Sequence, residues 1–101
     1  MKRRDIHWSD EAPVEIARAG QRLIIEDQQP FVLHFGVDGW TNVVDRRSSP
    51  LGVGRHEVRL DAEDLLGKRE LNFTRFYPDD GRWEGIDHVT RIVTAQPRRG
   101  Q

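Results

Sequence analysis

Hydrophobic residues recur with a period of two along most of this chain, the pattern of strands that bury one face. Val14 and Ile16 alternate with Glu15 and Ala17 and reach Arg18, after which Gly20 makes a turn. Leu23-Ile24-Ile25 is a short buried run. Gln28-Gln29-Pro30 ends it, because proline cannot donate to a ladder. Phe31, Leu33 and Phe35 then alternate with Val32 and His34, so one face of that strand is wholly apolar and His34 points the other way. Gly36-Val37-Asp38-Gly39 closes it, and Trp40-Thr41-Asn42-Val43-Val44 opens another. Residues 45–54 hold Ser48-Ser49-Pro50 and two glycines and read as a loop.

The second half has the same grammar. His56, Val58 and Leu60 alternate with Glu57 and Arg59, and Leu71, Phe73 and Arg75 with Asn72 and Thr74. Val89, Arg91 and Val93 lie opposite Thr90, Ile92 and Thr94. Pro78-Asp79-Asp80-Gly81 is a turn, with proline presetting one dihedral and glycine supplying the positive one. Helix is expected only near residues 61–66, where Asp61 can cap, acids follow early and Gly67 stops the turn. The fold class is therefore all-β: an antiparallel sandwich of about seven strands, immunoglobulin-like by analogy. A loose, charged N-terminal segment (1–12) and a polar tail (97–101) flank one domain at 13–96.

Composition narrows the function classes. Sixteen basic and 17 acidic residues give a net charge of -1, which lacks the excess of a dedicated nucleic-acid binder or a polybasic membrane anchor. No nucleic-acid or membrane partner is expected. No stretch is long and apolar enough to span a bilayer, and the basic start is not followed by an apolar signal segment. If the chain is the full gene product, it stays in the cytoplasm. The absence of cysteine removes disulfides, zinc thiolates and thiol nucleophiles.

The sequence holds no candidate catalytic set and implies no cofactor. Ser48 and Ser49 precede a proline and have no evident base. Leu51-Gly52-Val53-Gly54 has no lysine and helix start behind it, as a phosphate loop requires. Asp79-Asp80 is explained by turn chemistry, and Asp61, Glu63 and Asp64 by a helix start. The four histidines, at positions 7, 34, 56 and 88, share no short spacing suited to a metal. The tryptophans carry more information. Trp40 follows Val37-Asp38-Gly39 and Trp83 follows Asp80-Gly81-Arg82, so both stand at turn edges where no strand interior needs filling. A flat indole there either lids the core or offers its π face to the C–H face of a sugar ring. His34, on the polar side of its strand, can bond a hydroxyl.

The run Leu33-His34-Phe35-Gly36-Val37-Asp38-Gly39-Trp40 resembles the "hydrophobic-His-Tyr-Gly…Trp" opening of the starch-binding modules grouped as carbohydrate-binding module family 25. Leu71 to Trp83 resembles that family's second landmark, a strand ending in an aromatic, an acidic-glycine turn and a tryptophan. The likeness covers about residues 30–93. It implies an immunoglobulin-like sandwich without catalytic activity that binds α-1,4-linked glucan or maltooligosaccharide, such as glycogen or starch, with glycogen the expected ligand if the protein is cytoplasmic. It places His34, Trp40 and Trp83 on the sugar-binding positions, the two indoles stacking on neighbouring glucose rings. A glucan-metabolising enzyme is the protein partner it suggests. The rival expectation is a β-sandwich that mediates protein–protein contact and has lost its sugar site.

Overall fold

A computed structural model describes residues 5–93 of the chain. It is a β-sandwich of two sheets, with one short helix. Ten strands follow in order: β1 (Asp5–Trp8), β2 (Ile16–Arg18), β3 (Arg22–Asp27), β4 (Val32–Val37), β5 (Thr41–Arg47), β6 (Ser49–Gly52), β7 (Arg55–Leu60), β8 (Glu70–Tyr77), β9 (Arg82–Trp83) and β10 (His88–Val93). The smaller sheet runs β1-β3-β7-β6; the larger runs β2-β10-β8-β4-β5, with β9 hairpinned onto β8. Each sheet is antiparallel except for one parallel pair, β1 on β3 and β2 on β10.

The period-two expectation describes the core well. Leu23 and Ile25 of β3, Leu33, Phe35 and Val37 of β4, Val58 and Leu60 of β7, and Leu71 and Phe73 of β8 are all buried in one cluster, with Phe31 just before β4. The helix α1 spans Ala62–Leu65, inside the expected stretch. The Asp64 carboxylate accepts from the Asp61 backbone N–H at 2.9 Å, tying the first turn together. Leu65 seats that turn in the core.

Three expectations are corrected. Residues 5–8 are not loose: β1 pairs with β3, and Trp8 is 2% exposed. Charge misled here. Asp5 and His7 point away from the core and find partners across the strands, Arg22 donating to both Asp5 oxygens (3.2 and 3.0 Å) and the His7 ring hydrogen-bonding with Glu26. Residues 45–54 are not one loop. β5 continues to Arg47 and the chain crosses at Ser48 into β6 of the other sheet. Both are edge strands, which need no apolar alternation and tolerate Pro50. Ser48 secures the crossing, donating its N–H to the Phe31 carbonyl (2.8 Å) and accepting the Phe31 N–H on its hydroxyl (3.0 Å). Val14 lies outside a strand, and the element beginning near Trp40 starts at Thr41. The expected tail at 97–101 lies outside the described residues.

Candidate functional site

The outer face of the larger sheet carries the residues singled out above. Register fixes who shares a row. His34 of β4 lies opposite Thr74 of β8 and Asp45 of β5, and Val32 lies opposite Phe76 and Arg47, with Phe76 in turn opposite Trp83. Directly opposed residues point to the same side, so His34, Asp45, Val32, Phe76 and Trp83 gather on the face turned away from the core. Trp40 joins them from the β4–β5 turn. The His34 ring centre is 5.7 Å from Trp40, tilted by 31°, and 5.3 Å from Trp83, edge-on. Phe76 meets Trp83 at 5.1 Å. Trp83 is 52% exposed, Trp40 is half-buried, and the His34 side chain is 33% exposed. The three sequence candidates therefore form one cluster, with the histidine between two indoles.

The turn that presents Trp40 is strained and over-determined. Asp38, Gly39, Trp40 and Asn42 all have positive φ (49°, 84°, 67° and 51°). For a side chain as bulky as tryptophan this is unfavourable by about 1 kcal/mol or more. The surroundings hold it there. The buried Asn72 side chain accepts from the backbone N–H groups of Gly39 (2.9 Å) and Trp40 (3.0 Å), and its own amide donates to Glu70 (2.8 Å). The Asp38 carboxylate accepts from the N–H of Arg69 (2.7 Å) and Glu70 (3.2 Å), which holds its carboxyl below the usual range. Thr41 donates its hydroxyl to the Val37 carbonyl at 2.6 Å. Gly36 completes the arrangement: a Cβ there would lie 3.0 Å from Trp40 Cα and from the Thr41 carbonyl oxygen, so only glycine lets this turn close against β4.

A second constellation lies inside and was not singled out from sequence. Arg75, read only as a continuation of the alternation in β8, is 2% exposed. Its guanidinium reaches Asp10 (2.8 Å), Asp27 (2.8 Å) and Glu84 (2.8 Å), and lies 4.9 Å over the Trp8 ring. Asp27 also accepts the Tyr77 hydroxyl at 2.7 Å, and Glu84 meets His88 Nε2 at 3.0 Å. Burial pushes the Glu84 carboxyl up, but hydrogen bonds from Arg75 and His88 outweigh it and leave the group below its ordinary range. Burial and the bond to Asp27 push the Tyr77 phenol up. Every buried charge of this network is matched. The network is a staple joining the N-terminal segment, β3, β8 and the residues after β9.

A polar cleft of about 440 Å³ is lined by Glu11, Gln28, Arg55, His56 and Tyr77 among others, and none of His34, Trp40 and Trp83 lines it. No group of three potential metal-ligating side chains is found among the described residues, and none of their helices is long and apolar enough to cross a membrane. Asp45, Asn72 and Phe76 were missed as site residues because their roles follow from strand register, not from local sequence.

No family model and no curated protein matches the chain. Among solved structures, it is similar to the N-terminal domain of phage TP901-1 ORF48, with 12% identity and a TM-score of 0.45 over 95% of this chain and 100% of that one. A likeness this distant carries no argument about function.

Proposed function

We propose that this domain is a noncatalytic α-glucan-binding module whose sugar-contacting residues are His34, Trp40 and Trp83. The observation that carries the reading is convergence: three residues from three separate segments meet on one solvent-facing surface, around a histidine, beside a backbone strained to hold one of them. Strain of this kind clusters at ligand sites. An open ridge with a half-exposed indole suits a chain-like ligand that stacks along it. The sequence resemblance supplies the ligand class, and an enzyme acting on the same glucan is the protein partner it implies. The rival reading, a protein–protein interaction module, draws on Ile16, Val89 and Val93, which are also exposed on this face.

Titration with maltoheptaose by calorimetry, beside thermal denaturation of the same variants, separates the two. Trp83→Ala should weaken binding about tenfold or more with little change in melting temperature, stacking being worth about 1–2 kcal/mol. His34→Ala should remove about 1 kcal/mol of binding. Trp40→Gly should bind as poorly as Trp40→Ala yet be the more stable of the two by about 1 kcal/mol, because glycine relieves the positive φ. Absence of maltoheptaose binding by the wild type, with severe destabilisation of the tryptophan variants, would replace the glucan reading with the interaction module.

The noncatalytic part has its own test. Pure protein incubated with glycogen should release no reducing ends, since among the described residues no acid/base pair of carboxylates faces the platform. Release that disappears on mutating a carboxylate would overturn it.

A further inference from the structure

We infer that Asp45 is a positioning residue that fixes the His34 tautomer and thereby sets the hydrogen-bonding demand of the platform; this rests on the glucan reading for its ligand. Asp45 stands directly opposite His34 across the β4–β5 pair, and its Oδ1 lies 2.6 Å from His34 Nδ1. An ionised carboxylate only accepts hydrogen bonds. Nδ1 therefore carries the proton, and in the neutral ring Nε2 keeps its lone pair. Among the described residues Nε2 has no hydrogen-bond partner. The neighbouring hydroxyl in the same row, Thr74, does not compete for it, because it donates to the Ile86 carbonyl at 2.8 Å.

The result is an unclaimed acceptor on a ring whose centre lies 5.7 Å from that of Trp40, tilted by 31°, and 5.3 Å from that of Trp83, edge-on. A ligand that satisfies it must bring a hydrogen-bond donor beside a surface that packs on the exposed Trp83 indole. An oligosaccharide offers that combination. A purely apolar chain does not, and would leave the nitrogen desolvated without a partner. Asp45 sits on β5, an edge strand that neither landmark of the sequence resemblance includes. Its contribution is visible only once β4 and β5 are in register.

The test uses the full chain at about pH 8, where an ordinary imidazole is neutral. Long-range ¹H–¹⁵N correlation spectra read the His34 tautomer, and calorimetry reads maltoheptaose binding. Wild type should show a protonated Nδ1 and an unprotonated Nε2. Asp45→Ala should shift the ring toward the Nε2–H form and weaken binding about fivefold, the size of one neutral hydrogen bond. Asp45→Asn, whose side-chain carbonyl still accepts from Nδ1, should restore both the tautomer and most of the affinity. An Nε2–H or doubly protonated ring in the wild type overturns the inference. So does an Asp45→Ala variant whose tautomer is unchanged, or whose tautomer shifts while affinity stays at the wild-type value. If wild type itself fails to bind maltoheptaose, the glucan reading falls, and the spectra still decide whether Asp45 positions the ring.

Discussion

Arg75→Met should destabilise the domain by about 3–5 kcal/mol at neutral pH, the cost of leaving buried carboxylates without their cation. Methionine fills much of the volume, so the loss reports charge and hydrogen bonding more than a cavity. Asp27 and Glu84 have side chains 8% and 7% exposed, too buried for water to take over from the guanidinium. Arg75→Lys should recover only part of the loss, because an ammonium cannot span Asp10, Asp27 and Glu84 as a planar fork does. The pH dependence has a definite sign. In the wild type the Glu84 carboxyl is held below its ordinary range, so its contribution is present above the unfolded value and lost as pH falls through the folded one. In Arg75→Met the same burial acts without the cation, and the carboxylates are stabilised by taking up protons. The deficit of the variant should therefore shrink as pH is lowered through the carboxylate range. Urea denaturation of both proteins at neutral and acidic pH measures it. A deficit under about 1 kcal/mol, or one that widens in acid, would show that the staple is not what holds these segments together.

How much of this was legible beforehand depended on range. The inward residues of β3, β4, β7 and β8 could be read locally, because strict alternation needs only the next few residues. The same alternation put His34 on the outer face. Turn position marked Trp40 and Trp83, and the structure brings all three together. The polar partners could not be read in this way. Asn72 looks like any outward strand residue until register lays it against the β4–β5 turn, where it caps two backbone N–H groups of a conformation that tryptophan disfavours. Asp45 lay in a stretch read as loop because β5 and β6 are edge strands, and edge strands carry charge and proline by design. Arg75 occupies a core position in its alternation. A cation there signals partners elsewhere in the chain, yet nothing local names Asp10, Asp27 or Glu84 as those partners. Composition misled most at the N-terminus, where the polar side chains of Asp5 and His7 hid a four-residue alternation with Ile6 and Trp8.

Trp8→Ala should be nearly as destabilising as Arg75→Met, about 3–5 kcal/mol, although it lies in a segment whose charge reads as loose. Its ring meets Phe73 edge-on at 5.0 Å and His88 at 4.8 Å, and the Arg75 guanidinium lies 4.9 Å over it. Truncation would open a cavity between the sheets and strip one wall from the buried guanidinium. It would also weaken β1, whose parallel pairing with β3 runs Asp5 to Arg22 through Trp8 to Ile25. Trp8→Phe, keeping a smaller ring, should cost substantially less. Because Trp8 and Arg75 touch, the double variant Trp8→Ala/Arg75→Met should be less destabilised than the sum of the singles, by about 0.5 kcal/mol or more. Amide exchange gives an independent reading. β1 amides that bond to β3 should be protected in the wild type and exchange freely in Trp8→Ala under conditions where β4 and β8 remain protected. A Trp8→Ala variant with wild-type stability, or β1 amides unprotected in the wild type, would return these residues to a loose segment and remove Trp8 from the core.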